Sequence, residues 1–196
     1  WLVYSRETEP LGTGGAVRLA LPELDSDPVL VLNGDSCADI DLSGYLSWFF
    51  QRPRRASLLL ARVPDASRFG LVEVDQTGQV GAFLEKPSIP RPGWVNAGAY
   101  ILRKDLLESI PAEVNFSLEH DFFPGLAGRG LYGYCYSGMF VDIGTPESYY
   151  RAEVFLGKGK GGPGGRPADR SNGAGGINGM DLTAMKQKEL FRSMLR

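Results

Sequence analysis

The sequence predicts an α/β layered domain, with a mixed and mostly parallel sheet flanked by helices and one antiparallel excursion. Three observations carry this expectation. Continuous apolar runs, VLVL at 29–32 and SLLLARV at 57–63, read as strands buried on both faces. LVEVD and VGAFLEK alternate apolar with polar or small residues around QTGQ, the pattern of a half-exposed hairpin. Between the strands lie stretches with helical spacing of their apolar residues.

Taken in order, WLVYS at 1–5 reads as a short strand, and a helix is expected over 15–22. VLVLNGDS at 29–36 reads as a central strand, covered on both faces, that ends in an Asn-Gly turn. A helix over 43–51 precedes the run at 57–63, and the hairpin follows. VNAGAYIL at 95–102 is another buried strand, whose small residues leave room on one side. Helices are expected at 104–109 and 118–127, and one or two strands within 131–144. A final helix runs from Pro146 to about Leu156, because proline suits the first helical turn. After Leu156 the composition breaks. Residues 157–180 are dense in glycine and lack apolar periodicity, which predicts a flexible or disordered linker. Residues 181–196 regain helical spacing (Leu182, Met185, Leu190, Met194), with Asp181 or Thr183 as caps. The expected units are therefore 1–156, 157–180 and 181–196, and no internal repeat is visible.

Composition narrows the function classes. The 196 residues suffice for one domain with a substantial core and an appendage. The 21 basic and 23 acidic side chains leave no cationic surplus for nucleic acid. No apolar run approaches the roughly 20 residues that span a bilayer, so no membrane partner is expected. Cys37 and Cys135 lack metal-ligand spacing, and two buried reduced thiols suit a cytoplasmic protein. His120 is the single histidine, so any chemistry must rest on carboxylates, lysine and backbone groups.

Asp35 directly follows an apolar run, in NGD, and Asp142 ends another, in FVDIG. Ligands of open α/β sheets gather at the carboxyl ends of strands. Two strand-end aspartates in one cleft would suit Mg²⁺, which takes oxygen ligands and keeps phosphate oxygens in its shell. The plainer alternative for each is a turn aspartate bonding backbone N–H groups. In Glu85–Lys86–Pro87 neighbouring side chains point to opposite faces, so at most one reaches a given site. Lys86 can meet a phosphate and Glu85 can accept from hydroxyls; an ordinary solvated pair is the alternative.

The segment ETEPLGTGGAVRLALPEL at 7–24 matches neither a P-loop nor a dinucleotide fingerprint, and its glutamates would repel phosphate. Glycines permit close approach to a flat surface, so Gly12, Thr13 and Gly14 read as the floor of a nucleobase pocket. Guanine presents two adjacent donors, N1–H and N2–H, which a carboxylate such as Glu7 or Glu9 can accept. If the base sits there, GTP is the expected nucleotide; if not, both glutamates are surface charges.

EPLGTGGA, LNGDS, RFG-LVEVD, F-LEKP, VNAGAYIL and FVDIGTPESY, in this order, resemble the sugar-1-phosphate nucleotidyltransferase family over residues 1–156. FSLEHDFFP and FVDIGTPESYYRAE are similar to its guanylyltransferase branch, which acts on heptose and mannose 1-phosphates. The resemblance implies a Rossmann-like, glycosyltransferase-A-like fold. It also implies Mg²⁺-dependent attack of a sugar 1-phosphate on the α-phosphorus of GTP, releasing pyrophosphate. It makes Asp35 and Asp142 the metal ligands and brings Lys86 to the sugar phosphate. Gly70, Glu85, Asn96 and Gly98 would shape the sugar pocket, and Glu7, Gly12, Thr13 and Gly14 would lie along the base. The family's opening signature, G-x-G-T-R-L, is absent here. The sequence therefore reads as a fragment or a degenerate copy, incomplete at its amino terminus and inactive alone. A regulatory, non-catalytic subunit and an enzyme using dTTP or UTP are the alternatives, and homo-oligomerisation stays open. MDLTAMKQKELFRSMLR faintly resembles the opening helix of thiamine-diphosphate-dependent 2-oxo acid dehydrogenase alpha chains.

Overall fold

The computed structural model describes residues 2–85 and 90–145, together with 148 and 152. Its strands are β1 (Val29–Leu32), β2 (Ser36–Ala38), β3 (Ala56–Val63), β4 (Gly70–Val74), β5 (Val80–Glu85), β6 (Gly93–Leu102), β7 (Leu131–Tyr136) and β8 (Phe140–Asp142). Its helices are α1 (Gly12–Ala20), α2 (Leu42–Phe50), α3 (Lys104–Glu108) and α4 (Phe123–Leu126), the last preceded by a π-helical turn at Leu118–Phe122. The linker at 157–180, the tail at 181–196 and Lys86 lie outside the described residues. Of the final helix only Ser148 and Ala152 are described, both helical.

The main sheet runs β5-β4-β6-β3-β7, with β1 also paired to β6. β1, β3 and β4 are each antiparallel to β6, and β7 is parallel to β3. These four strands therefore share one direction, while β6 and β5 oppose it. The mixed α/β layering agrees with the sequence. Because β6 sits among the strands that oppose it, β3–β7 is the one parallel ladder among the described pairs. The expected hairpin is present as β4–β5, with Asp75 accepting from the Thr77 and Gln79 N–H groups at its tip.

Two expected strands differ. Of WLVYS, the described residues 2–5 are not a strand: Leu2 and Tyr4 are 82% and 78% exposed, and no described strand pairs with them. β1 is half-buried beyond Val29 rather than covered on both faces, because it pairs with β6 along one edge only. The most covered strands of the main sheet are β3 and β6, which lie side by side at its centre. Their alternate residues feed two cores, since successive side chains of a strand point to opposite faces. Leu58, Leu60, Tyr100 and Leu102 pack with Leu107, Leu118 and Phe123, while Leu59, Ala61, Ala99 and Ile101 pack with Tyr45 and Phe49 of α2. Asp41 caps α2 by accepting from Ser43 N–H at 3.0 Å.

α1 begins three residues before its expected start. Leu11 supplies no side-chain cap; instead the Phe116 carbonyl accepts from the N–H groups of Gly14 and Gly15 at 2.8 and 3.1 Å. Backbone from elsewhere in the chain thus satisfies donors that a helix start leaves open. The cysteines also differ: Cys37 is buried but Cys135 is exposed near the end of β7, and neither forms a disulfide.

Candidate functional site

Among the described residues an open cleft of about 680 Å³ lies where β1 ends and β4 begins. Both strands pair with β6 along the same side, β1 up to Ala99 and β4 from Val95. The intervening Asn96–Gly98 is a bulge. The β3 register passes from Leu58 opposite Tyr100 to Leu60 opposite Asn96, so β6 carries two extra residues there. Gly98 takes φ +72°, donates its N–H to Asn96 Oδ1 at 3.0 Å, and accepts at its carbonyl from Asn33 N–H at 2.7 Å. A β-carbon at Gly98 would collide with Ser36 Oγ and lie 3.0 Å from Asn33 Cβ, so only glycine lets β2 come this close.

The facing wall is the two-stranded ribbon β2–β8. Its register sets Ser36 opposite Asp142, and Ile143 N–H donates to the Asp35 carbonyl at 2.8 Å. Two aspartates 107 residues apart in sequence thereby line one cleft, together with Gly70, Asn96 and Gly98. Asp142 Oδ1 accepts from Gly144 N–H at 3.0 Å and faces Arg68 Nη2 at 3.4 Å. Gly70 pairs with Glu85 across the hairpin, which brings the Glu85 backbone to the rim.

The residues expected along the base lie elsewhere. Thr13 lines an adjoining groove of about 480 Å³, and Asn33 and Asp35 form the wall common to both cavities. Gly12 and Gly14 approach their own chain: a β-carbon on either would sit 2.8 Å from Phe116 atoms. Glu7 is exposed and accepts from Leu11 N–H at 2.9 Å. None of Glu7, Gly12, Thr13 and Gly14 lines the cleft itself.

Arg68, Glu119 and His120 line the cleft without having been singled out for it by sequence reading. Arg68 had a signal, because it directly precedes the Phe-Gly of the RFG motif. Glu119 lay inside the FSLEHDFFP motif, but its contacts with Thr13 and Tyr100, distant in sequence, gave no local signal of its role. Tyr100 is fully buried, and burial, followed by the charge of Glu119, pushes its phenol well above the ordinary value. Among the described residues no three His, Cys, Asp or Glu side chains gather as a metal-binding group. Asp35 and Asp142 are the carboxylate pair on the ribbon side, and Glu119 stands on the other wall. No described helix is long and apolar enough to cross a membrane.

The family model described as "Nucleotidyl transferase" matches residues 2–159. The chain belongs to the nucleotidyl transferase family. Mannose-1-phosphate guanylyltransferase of Mycobacterium tuberculosis is 37% identical over 161 residues, covering 80% of this chain and 44% of that protein. Mannose-1-phosphate guanylyltransferase 1 of Arabidopsis thaliana is 35% identical over 153 residues, covering 76% and 42%. The chain thus spans less than half the length of these relatives. Crystalline HddC from Yersinia pseudotuberculosis superposes with a TM-score of 0.66 at 32% identity, covering 76% of this chain and 64% of HddC. A second HddC structure is a complex with GMP-PN.

Proposed function

We propose that this chain carries the sugar-binding and carboxylate part of a sugar-1-phosphate guanylyltransferase. The reaction joins a mannose- or heptose-type sugar 1-phosphate to GTP. A sugar-phosphate oxygen forms a bond to the α-phosphorus, the α–β phosphoanhydride bond breaks, and pyrophosphate leaves with that electron pair. The product is a GDP-sugar, and no covalent enzyme intermediate is needed. The observation that carries the reading is the delivery of Asp35 and Asp142 to one cleft, opposite the Asn96–Gly98 bulge. The names of the relatives support guanine as the base and mannose as one sugar.

An all-oxygen pair of carboxylates fits Mg²⁺, which binds through one or two carboxylates plus substrate phosphates and water. Asp35 and Asp142 would hold it, and when bound it supplies positive charge against the phosphate oxygens. The remaining work falls to the chain. Asn96 has one side-chain N–H and one lone pair left for sugar hydroxyls after its bonds to Tyr100 and Gly98. Gly70 and Gly98 keep side chains out of the sugar's space, and Glu85 accepts from its hydroxyls. Lys86 meets the sugar phosphate as a point charge. Arg68, already facing Asp142, adds a second cation at the same wall. Thr13 borders the base from the adjoining groove, with Glu7 selecting guanine, while Gly12 and Gly14 serve to pack α1 on Phe116. Catalysis on this reading is alignment and charge stabilisation. The reading places the protein in the cytoplasm, supplying precursors for lipopolysaccharide or capsule.

Pyrophosphate release from the gene product, given mannose 1-phosphate or a heptose 1-phosphate with GTP, dTTP or UTP in turn, tests this. Turnover with GTP is expected, and Asp35→Asn should lower it by roughly 100-fold or more. Turnover with dTTP or UTP but not GTP would overturn the base assignment. Binding of GDP-mannose without turnover would make the protein a regulatory subunit.

A further inference from the structure

Glu119 lines the cleft, next in sequence to Leu118 of the adjoining groove, and its surroundings form a directed chain of hydrogen bonds. Its Oε2 accepts from Thr13 Oγ1 at 2.6 Å and from Ser117 Oγ at 3.1 Å, while its Oε1 accepts from the Tyr100 hydroxyl at 3.2 Å. The direction of each bond follows from its neighbours. Thr13 Oγ1 already accepts from Leu118 N–H at 2.9 Å, so its proton is free to go to Glu119. Ser117 Oγ accepts from the Glu119 and His120 N–H groups at 3.1 and 3.0 Å, which turns its proton the same way. Asn96 Oδ1 is taken by Gly98 N–H, so its amide N–H points to the Tyr100 oxygen at 2.8 Å, and the Tyr100 proton goes on to Glu119. Three hydroxyl donors converge on one group, and only an acceptor-only carboxylate can receive all three.

We propose that Glu119 is a positioning residue that locks the first turn of α1 to the β6 bulge, so that Thr13, outside the cleft, sets the pose of Asn96 within it. The chain of contacts is Thr13–Glu119–Tyr100–Asn96–Gly98, and it crosses from the groove wall to the cleft wall. Tyr100 is fully buried in the main core, so this link is held in place by packing as well as by its hydrogen bonds. Its functional consequence, tighter binding of the sugar 1-phosphate, rests on the guanylyltransferase reading; the link itself does not.

The test uses near-isosteric variants of the whole protein and two readouts. In ¹⁵N NMR spectra without ligand, Thr13→Val should shift the Asn96 side-chain amide signal, and Thr13→Ser, which keeps the hydroxyl, should leave it in place. In turnover assays Thr13→Val and Tyr100→Phe should each raise the KM for the sugar 1-phosphate by about tenfold with a smaller change in kcat. The double variant should be no worse than the weaker-binding single one, because both cut the same chain. Glu119→Gln should resemble Thr13→Val, since its NH₂ cannot receive a hydroxyl proton. An Asn96 signal unmoved by Thr13→Val overturns the proposal whatever the enzyme does. So does a Thr13→Ser variant as impaired as Thr13→Val, or fully additive KM effects. A shifted Asn96 signal in a protein inactive with every sugar phosphate would uphold the link and overturn the guanylyltransferase reading.

Discussion

Two glycine-bearing segments do opposite jobs in this molecule. Gly12–Gly15 opens α1 and Asn96–Gly98 interrupts β6, and in sequence both read as places where something comes close. At α1 the close neighbour is the chain itself: the Phe116 carbonyl and ring occupy the space that side chains on Gly12 and Gly14 would need. At the bulge the close neighbour is Ser36, and Gly98 also faces the open cleft. The first segment uses absent side chains to pack a helix against the 114–118 segment. The second uses one to bend a central strand and leave a polar opening. Glycine signals a close approach; it does not say whether the guest is ligand or backbone.

Gly98→Ala should break this comparison most severely. It places a side chain at φ +72° and against Ser36, and should destabilise by about 3 kcal/mol in urea unfolding while abolishing sugar-phosphate binding. Gly14→Ala should cost less, about 1–2 kcal/mol, because overpacking against Phe116 is partly offset by the better helix propensity of alanine. Its affinity for ligands should stay near that of the wild type. If instead Gly14→Ala keeps its stability and loses GTP binding, the α1 glycines face the nucleotide after all and the contrast collapses. The smallest effect belongs to Asp75 at the hairpin tip, remote from both segments. The Thr77 side-chain bond, with backbone N–H bonds of the turn, holds its carboxyl below the ordinary 3.8. A depressed carboxyl pKa contributes stability that is present above 3.8 and lost as pH falls through the lower folded value. The melting temperature of Asp75→Asn should therefore trail the wild type slightly at neutral pH. That gap should close below the carboxylate range, with ligand binding unchanged throughout.

Much of the fold was legible because it is written in short-range patterns. The β4–β5 hairpin, β3, β6 and α2 all fall within two residues of where alternation, apolar runs and helical spacing place them. β1 was located correctly but not its cover, since burial on the second face depends on what lies beside it. WLVYS failed for the same reason: strand composition without a partner does not make a strand. In the site, Asp35, Asp142, Gly70, Asn96 and Gly98 were legible and do meet in one cleft. Arg68 and Glu119 were not singled out, because their roles depend on neighbours 74 and 106 residues away.

The sequence by itself determined the α/β class, the positions of β1, β3, β4, β5, β6 and α2, and the two aspartates at the ends of apolar runs. Those features depend on neighbours a few residues apart, whose side chains share a face by backbone geometry alone. Only the tertiary structure decided that β6 runs against the strands it separates, and that the α1 glycines pack on Phe116. It also decided that Thr13, Tyr100 and Ser117 all point their hydroxyls at Glu119. Such pairings are chosen by whichever distant segment can fill the space and satisfy the open donors, and no local pattern encodes that choice.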